Sequence, residues 1–254
     1  MGLYSIGYIV YALLQAALAV WAFTLWRRDR TAGAFMLMLP IAAVWYDNLI
    51  IGLGGVIGAG PVLEALTFPR FLGHSLFTPS WIVAAVMLAT RFGAFRGRER
   101  VARVGSWLLY AVMVAVGLVN EVFSFAGELV READVLYYTN VGRLLTPPPP
   151  SLTMTIVVLL AGIYIAVRTR GRWLWMALGA LLVPAGQFIN AEGPLFFVVN
   201  LGEVLMSASL VATLAYVLRR ERAGPSQASP ASSVVPPAAT SQPALRAPRS
   251  RRGD

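Results

Sequence analysis

The run RFLGHSLFTPSW, residues 70–81, stands at the head of an apolar stretch that continues to Thr90. Pro69, just before it, suits the first position of a helix, where its missing N–H would have had no partner. On a helix begun there, Arg70, His74 and Thr78 recur at i, i+4 and i+8 and so share one face. His74 is the chain's one histidine, and the stretch around it has the length and apolarity of a membrane span. An ionisable group at membrane depth is costly and faces a protein interior or water. This stretch therefore predicts a buried polar centre inside a membrane protein.

Composition agrees. The chain is 57% hydrophobic and 13% charged, against about 45–50% and about 25% for soluble domains. Too few polar side chains are present to coat a soluble fold. The net charge of +9 comes entirely from arginine, since lysine is absent. Those arginines lie in short clusters between apolar runs, the pattern that encodes membrane topology, so no nucleic-acid partner is expected. Without lysine there is no Schiff-base chemistry, which excludes a retinal pigment. Without cysteine there are no disulfides, thiolate metal sites or cysteine nucleophiles. One histidine cannot furnish a bis-histidine haem or a multi-histidine zinc set. HExxH, GxSxG and P-loop patterns are missing, so neither a metal nor a cofactor is expected.

The expected fold class is an all-α integral membrane protein with seven transmembrane helices. The apolar runs are Leu3–Trp26, Thr31–Leu53, Pro69–Thr90, Val104–Leu129, Ser151–Val167, Trp173–Asn190 and Pro194–Leu218. The first has no basic leader or small-residue cleavage site and reads as a retained helix. One set of connections holds Arg27, Arg28 and Arg30, then Arg91 to Arg103, then Arg168 to Arg172, then Arg219 to Arg222; the alternate set holds only Arg70, Arg131 and Arg143. That bias predicts an outside N-terminus and a cytoplasmic C-terminus in the cell membrane, which an odd number of spans satisfies. The connection from Val130 to Pro150 ends in four prolines and reads as a stiff extended segment. Residues 1–222 form the membrane domain. Residues 223–254, rich in Ala, Pro, Ser and Arg, read as a disordered cytoplasmic tail whose arginines can touch anionic lipid headgroups.

Asp47, His74, Glu121, Asn190 and Glu203 each lie sixteen to eighteen residues from the nearest arginine of the basic set, roughly 24–27 Å along a helix. Five spans thus carry a polar residue at one level. Asn48, Asn120 and Asn200 extend the layer, with Ser124 and Glu128 expected on the face of Glu121. The inner half is nearly dry, which describes a cup open to one side and not a pore. The sequence reading is a pocket for a membrane lipid or other apolar small molecule, with acid–base modification of that molecule as an open extension. Asp47, His74, Glu121 and Glu203 are the acid–base candidates; Asn48, Arg70, Thr78, Asn120, Asn190 and Asn200 are the substrate-binding candidates. The competing accounts are a transporter, a sensor or assembly protein, and a buried ionic network that only fixes helix packing.

Overall fold

The computed structural model describes residues 1–142, 144–145, 150–188 and 195–223. In chain order the helices are α1 (Leu3–Asp29), α2 (Ala32–Ile57), α3 (Pro61–Leu76), α4 (Trp81–Arg91), α5 (Glu99–Gly117), α6 (Pro150–Arg168), α7 (Trp175–Phe188) and α8 (Leu195–Arg222). A 3₁₀ turn at Thr78–Ser80 joins α3 to α4, and a π turn at Leu118–Phe123 prolongs α5. Taking α3–α4 and α5 with its π turn as continuous spans, six helices among the described residues are long and apolar enough to cross a membrane, and α7 is a shorter apolar one. Apolar stripes stay on the outside, as with Leu152, Ile156, Leu160, Ile163 and Val167 of α6, the spacing of a lipid-facing helix surface. Glycines bring the last three helices close. A Cβ on Gly162 would stand 2.5 Å from the Ala177 nitrogen, and one on Gly202 3.0 Å from the Leu182 carbonyl, the small-residue packing of membrane bundles.

The third span departs from expectation. It begins at Pro61, not Pro69, because Gly58 and Gly60 adopt positive φ (82° and 139°) and turn the chain ahead of the proline. Pro69 therefore sits inside α3. The span then breaks at Phe77–Ser80, where Pro79 has no N–H to donate. The break is stitched from neighbouring helices. Tyr110 of α5 donates its hydroxyl to the Leu76 carbonyl at 3.0 Å. Ser80 donates to the Met36 carbonyl at 2.7 Å and the Trp81 indole to the Leu37 carbonyl at 3.1 Å. The Met36 carbonyl is the one that Pro40, four residues on, leaves without a helical donor. The interruption at Pro40 on one helix is thus repaired by a hydroxyl at the break in another.

The fold is not wholly helical. Gly127–Glu132 (β1) and Val135–Asn140 (β2) pair antiparallel, with Glu132 opposite Val135 across a turn at Ala133 and Asp134. Where an irregular, proline-stiffened connection was expected, ELVRE and VLYYT supply the β-branched and aromatic residues of a hairpin. The α5 span accordingly stops at Phe123, Ser124 caps it, and Glu128 lies on β1 instead of sharing a helix face with Glu121. The hairpin seats on the bundle end away from the arginine clusters. Val135 and Tyr137 pack with Tyr8, Tyr11, Ile51 and Val204; Leu136 packs with Ile50 and Leu63. The Leu136 carbonyl occupies the place where a Cβ of Gly54 would stand.

The hairpin turn also holds the start of α1, whose own Gly2 offers no side-chain cap. Asp134 accepts from the Tyr4 and Ser5 amides at 3.1 and 3.0 Å, and Ser5 Oγ donates to the Asp134 carbonyl at 2.9 Å. This is an N-cap supplied from 129 residues away. Burial acts to raise the Asp134 carboxyl, but the Ser5 and Tyr4 hydrogen bonds outweigh it and hold the group below its ordinary value.

Candidate functional site

Asp47 of α2 is the hub. Its Oδ1 accepts from Arg70 Nε at 2.8 Å and lies 3.6 Å from His74 Nε2; its Oδ2 receives Asn200 Nδ2 at 3.4 Å. Spacing explains the convergence: Arg70 and His74 are one turn apart on α3, facing α2, while Asn200 comes from α8. Asn200 also donates to Asn48 Oδ1 at 2.9 Å, and Asn48 in turn donates to the Val44 carbonyl at 2.9 Å. The Asp47 and Arg70 side chains are only 8% and 7% exposed, whereas that of His74 is 29% exposed. A charge pair so deeply buried is tolerable only with its remaining lone pairs and protons engaged. Arg70 completes its set with the Tyr138 carbonyl at 3.2 Å and lies about 6 Å from the Phe71 and Tyr137 rings.

Thr78 meets His74 as the i+4 spacing predicted, its hydroxyl 3.2 Å from Nδ1, although the helix breaks between them. Glu203, half-buried on α8, lies within electrostatic reach of both His74 and Asp47. Its backbone carbonyl accepts from Ser207, which also receives Gln15 Nε2 at 3.1 Å. The Glu203 carboxylate takes no hydrogen bond among the described residues. Asp47, Asn48, Arg70, His74, Thr78, Asn200 and Glu203 therefore gather at one centre.

Glu121 and Asn120 do not join them. Glu121 accepts from Asn140 Nδ2 at 3.2 Å, and the Asn120 side chain clasps the Leu144 and Leu145 backbone. These two residues tie the π turn to the hairpin and the chain after it. Asn190 lies outside the described residues, as do positions 224–254 of the tail. Among the described residues no three His, Cys, Asp or Glu side chains converge as a metal-ligand set.

Two contributors were not singled out from sequence. Tyr8 is fully buried and electrostatically coupled to Asp47, and its hydroxyl has no partner among the described residues. Tyr137 borders Arg70 and donates to Glu132 Oε2 at 3.1 Å; burial, then the nearby Glu132 charge, pushes its phenol above the ordinary value. The available signal was the Tyr4–Tyr8–Tyr11 spacing on α1, one helix face with polar tips.

A scan against protein-family models finds no match to this chain, and neither does a search of curated proteins.

Proposed function

We propose a seven-span protein of the cell membrane, its hairpin outside and its arginine clusters cytoplasmic. In this reading Glu203 and His74 form an intramembrane acid–base pair that receives the polar group of a lipid or other apolar small molecule. The arginine bias between runs supports the orientation, and α7 is the seventh span.

The observation that carries the proposal is the contrast between the two carboxylates. Asp47 is saturated by Arg70, His74 and Asn200. Glu203 has His74 within reach but no hydrogen-bond donor among the described residues. A carboxylate in that state is available to accept a proton, or a hydrogen bond from a hydroxyl, of a ligand. Asp47 and Arg70 then act as positioning residues that set the His74 ring. The hairpin covers the end from which the cup was expected to open, so approach is lateral, past the exposed edge of His74.

Native mass spectrometry of the gently solubilised protein tests this. Wild type should carry a discrete co-purifying mass that Glu203→Gln loses with its thermal unfolding unchanged. Retention of the same mass by Glu203→Gln, or a bare protein in both samples, would overturn it. A second reading rests on the engagement of both His74 ring nitrogens, by Asp47 and Thr78. It makes the centre a purely structural ionic network, and bare protein in both samples is its expected result.

A further inference from the structure

At the opposite end of the bundle, Arg168, Thr169, Arg170, Arg172, Tyr216 and Arg220 line a cavity of ≈ 280 Å³. Tyr216 in its lining belongs to an aromatic column drawn from three segments of the chain. Trp173 stacks on Tyr216 (4.3 Å, 12°), and Tyr216 stacks on Phe92 (6.1 Å, 5°). The Trp173 indole donates to Thr213 Oγ1 at 2.9 Å, pinning the 168–173 turn to α8. Arg220 lies over the Phe92 ring at 5.4 Å, and Arg168 Nε donates to the Phe92 carbonyl at 3.2 Å. Two of the lining guanidinium groups are therefore held in place by packing.

The charge here is uncompensated. The acids that form ion pairs at this end, Asp29 and Glu221, both go to Arg91. Among the described residues no carboxylate pairs with Arg96, Arg168, Arg170, Arg172 or Arg220. A Cβ on Gly93 would lie 3.1 Å from Arg96 Nε and 3.6 Å from Arg168 Nη2. Those two like charges thus stand within about 7 Å of each other, a repulsion that an intervening anion relieves. Topology alone asks for arginines on this side; it does not ask that they surround a cavity beside a stacked aromatic column.

We propose that this basin binds a phosphate-bearing anion, held by several guanidinium forks at once. The volume sits just below the range of about 300–1,000 Å³ typical of drug-sized ligands, so it suits a phosphate with a small attached group. The same chemistry is offered by a lipid headgroup and by a soluble phosphoester.

Two arms separate the sources. Calorimetric titration of the full-length chain in zwitterionic detergent uses inorganic pyrophosphate. Native mass spectrometry after reconstitution in phosphatidylcholine mixed with phosphatidic acid reads lipid retention. One saturable pyrophosphate or one retained phosphatidic acid per chain is expected. Arg170→Gln with Arg172→Gln should weaken either by about tenfold or more; these side chains are exposed and make no hydrogen bond or ion pair among the described residues, so the fold is kept. Arg168→Gln with Arg220→Gln, checked by circular dichroism, is the second variant and should weaken binding similarly. Arg27→Gln with Arg28→Gln, at the same end but outside the cavity, should leave it unchanged. Saturation in the first arm marks a soluble phosphoester, retention only in the second a headgroup. No saturable anion in either arm, or equal weakening by the Arg27 and Arg28 pair, overturns the proposal.

Discussion

Replacing Asp47 by Asn keeps the shape of the hub and removes its charge. Arg70, with a side chain 7% exposed, would then face a neutral amide oxygen in place of the carboxylate, beside the Tyr138 carbonyl at 3.2 Å and two aromatic rings near 6 Å, with no counter-charge of its own. Cation–π contacts contribute about 0.5–2 kcal/mol, while an uncompensated buried charge costs several. The net loss expected for Asp47→Asn is about 3–5 kcal/mol. Removing both charges is different in kind: Asp47→Leu with Arg70→Met should return stability to within about 1 kcal/mol of wild type, or above it, because neither member of the pair is left buried without its counter-charge. Equilibrium unfolding in mixed micelles, run as a double-mutant cycle, measures both. A single-variant cost below about 1 kcal/mol, or a double variant as unstable as Asp47→Asn, would refute the reasoning.

The remaining expectations are smaller. Ser80→Ala strands the Met36 carbonyl opposite Pro40 and should cost about 1–3 kcal/mol in the same unfolding assay; an unchanged value would mean another donor takes over. Asp134→Ala should fray the start of α1, costing about 0.5–2 kcal/mol and speeding hydrogen exchange at the Tyr4 and Ser5 amides. Because the folded carboxyl is held below its ordinary value of 3.8, that contribution is fully present above the ordinary value and disappears as pH falls through the lower folded one. Protection of the two amides should therefore decline on acidification in wild type and be flat in Asp134→Ala. Gly54→Val drives a side chain into the Leu136 carbonyl, so exchange should rise throughout Val135–Asn140 while the helices stay protected.

Much of this was legible because a bilayer demands simple signals. Apolar runs give spans, and the spacing of Arg70, His74 and Thr78 gave a shared face that held even across a helix break. The start of the third span was harder. Pro61 and Pro69 both suit a first helical turn, and only the conformations of Gly58 and Gly60 distinguish them. The hairpin was obscured because the proline run after it dominates the segment, and its Ala133–Asp134 turn lacks the Asn-Gly or Asp-Gly signature. Depth counting puts Asp47, His74 and Glu121 at one level, and the structure brings Asp47 within 3.6 Å of His74 while leaving Glu121 apart, because level is not azimuth. Glu121 sits on a π turn facing Asn140, and a count of residues along an axis contains nothing about that rotation.

The exchange between Pro40 and Ser80 bears on how the protein is made. A chain delivered to the bilayer helix by helix presents α2 first, with the Met36 carbonyl open toward lipid, where an unpaired backbone group costs several kcal/mol. The hydroxyl that closes it lies 44 residues downstream and is itself the last residue of a turn that no isolated span would favour. The interrupted second helix is incomplete alone, and meeting the third span completes it. Biogenesis should therefore favour joint release of the second and third spans from the insertion machinery, because a product truncated before Ser80 leaves the Met36 carbonyl unpaired.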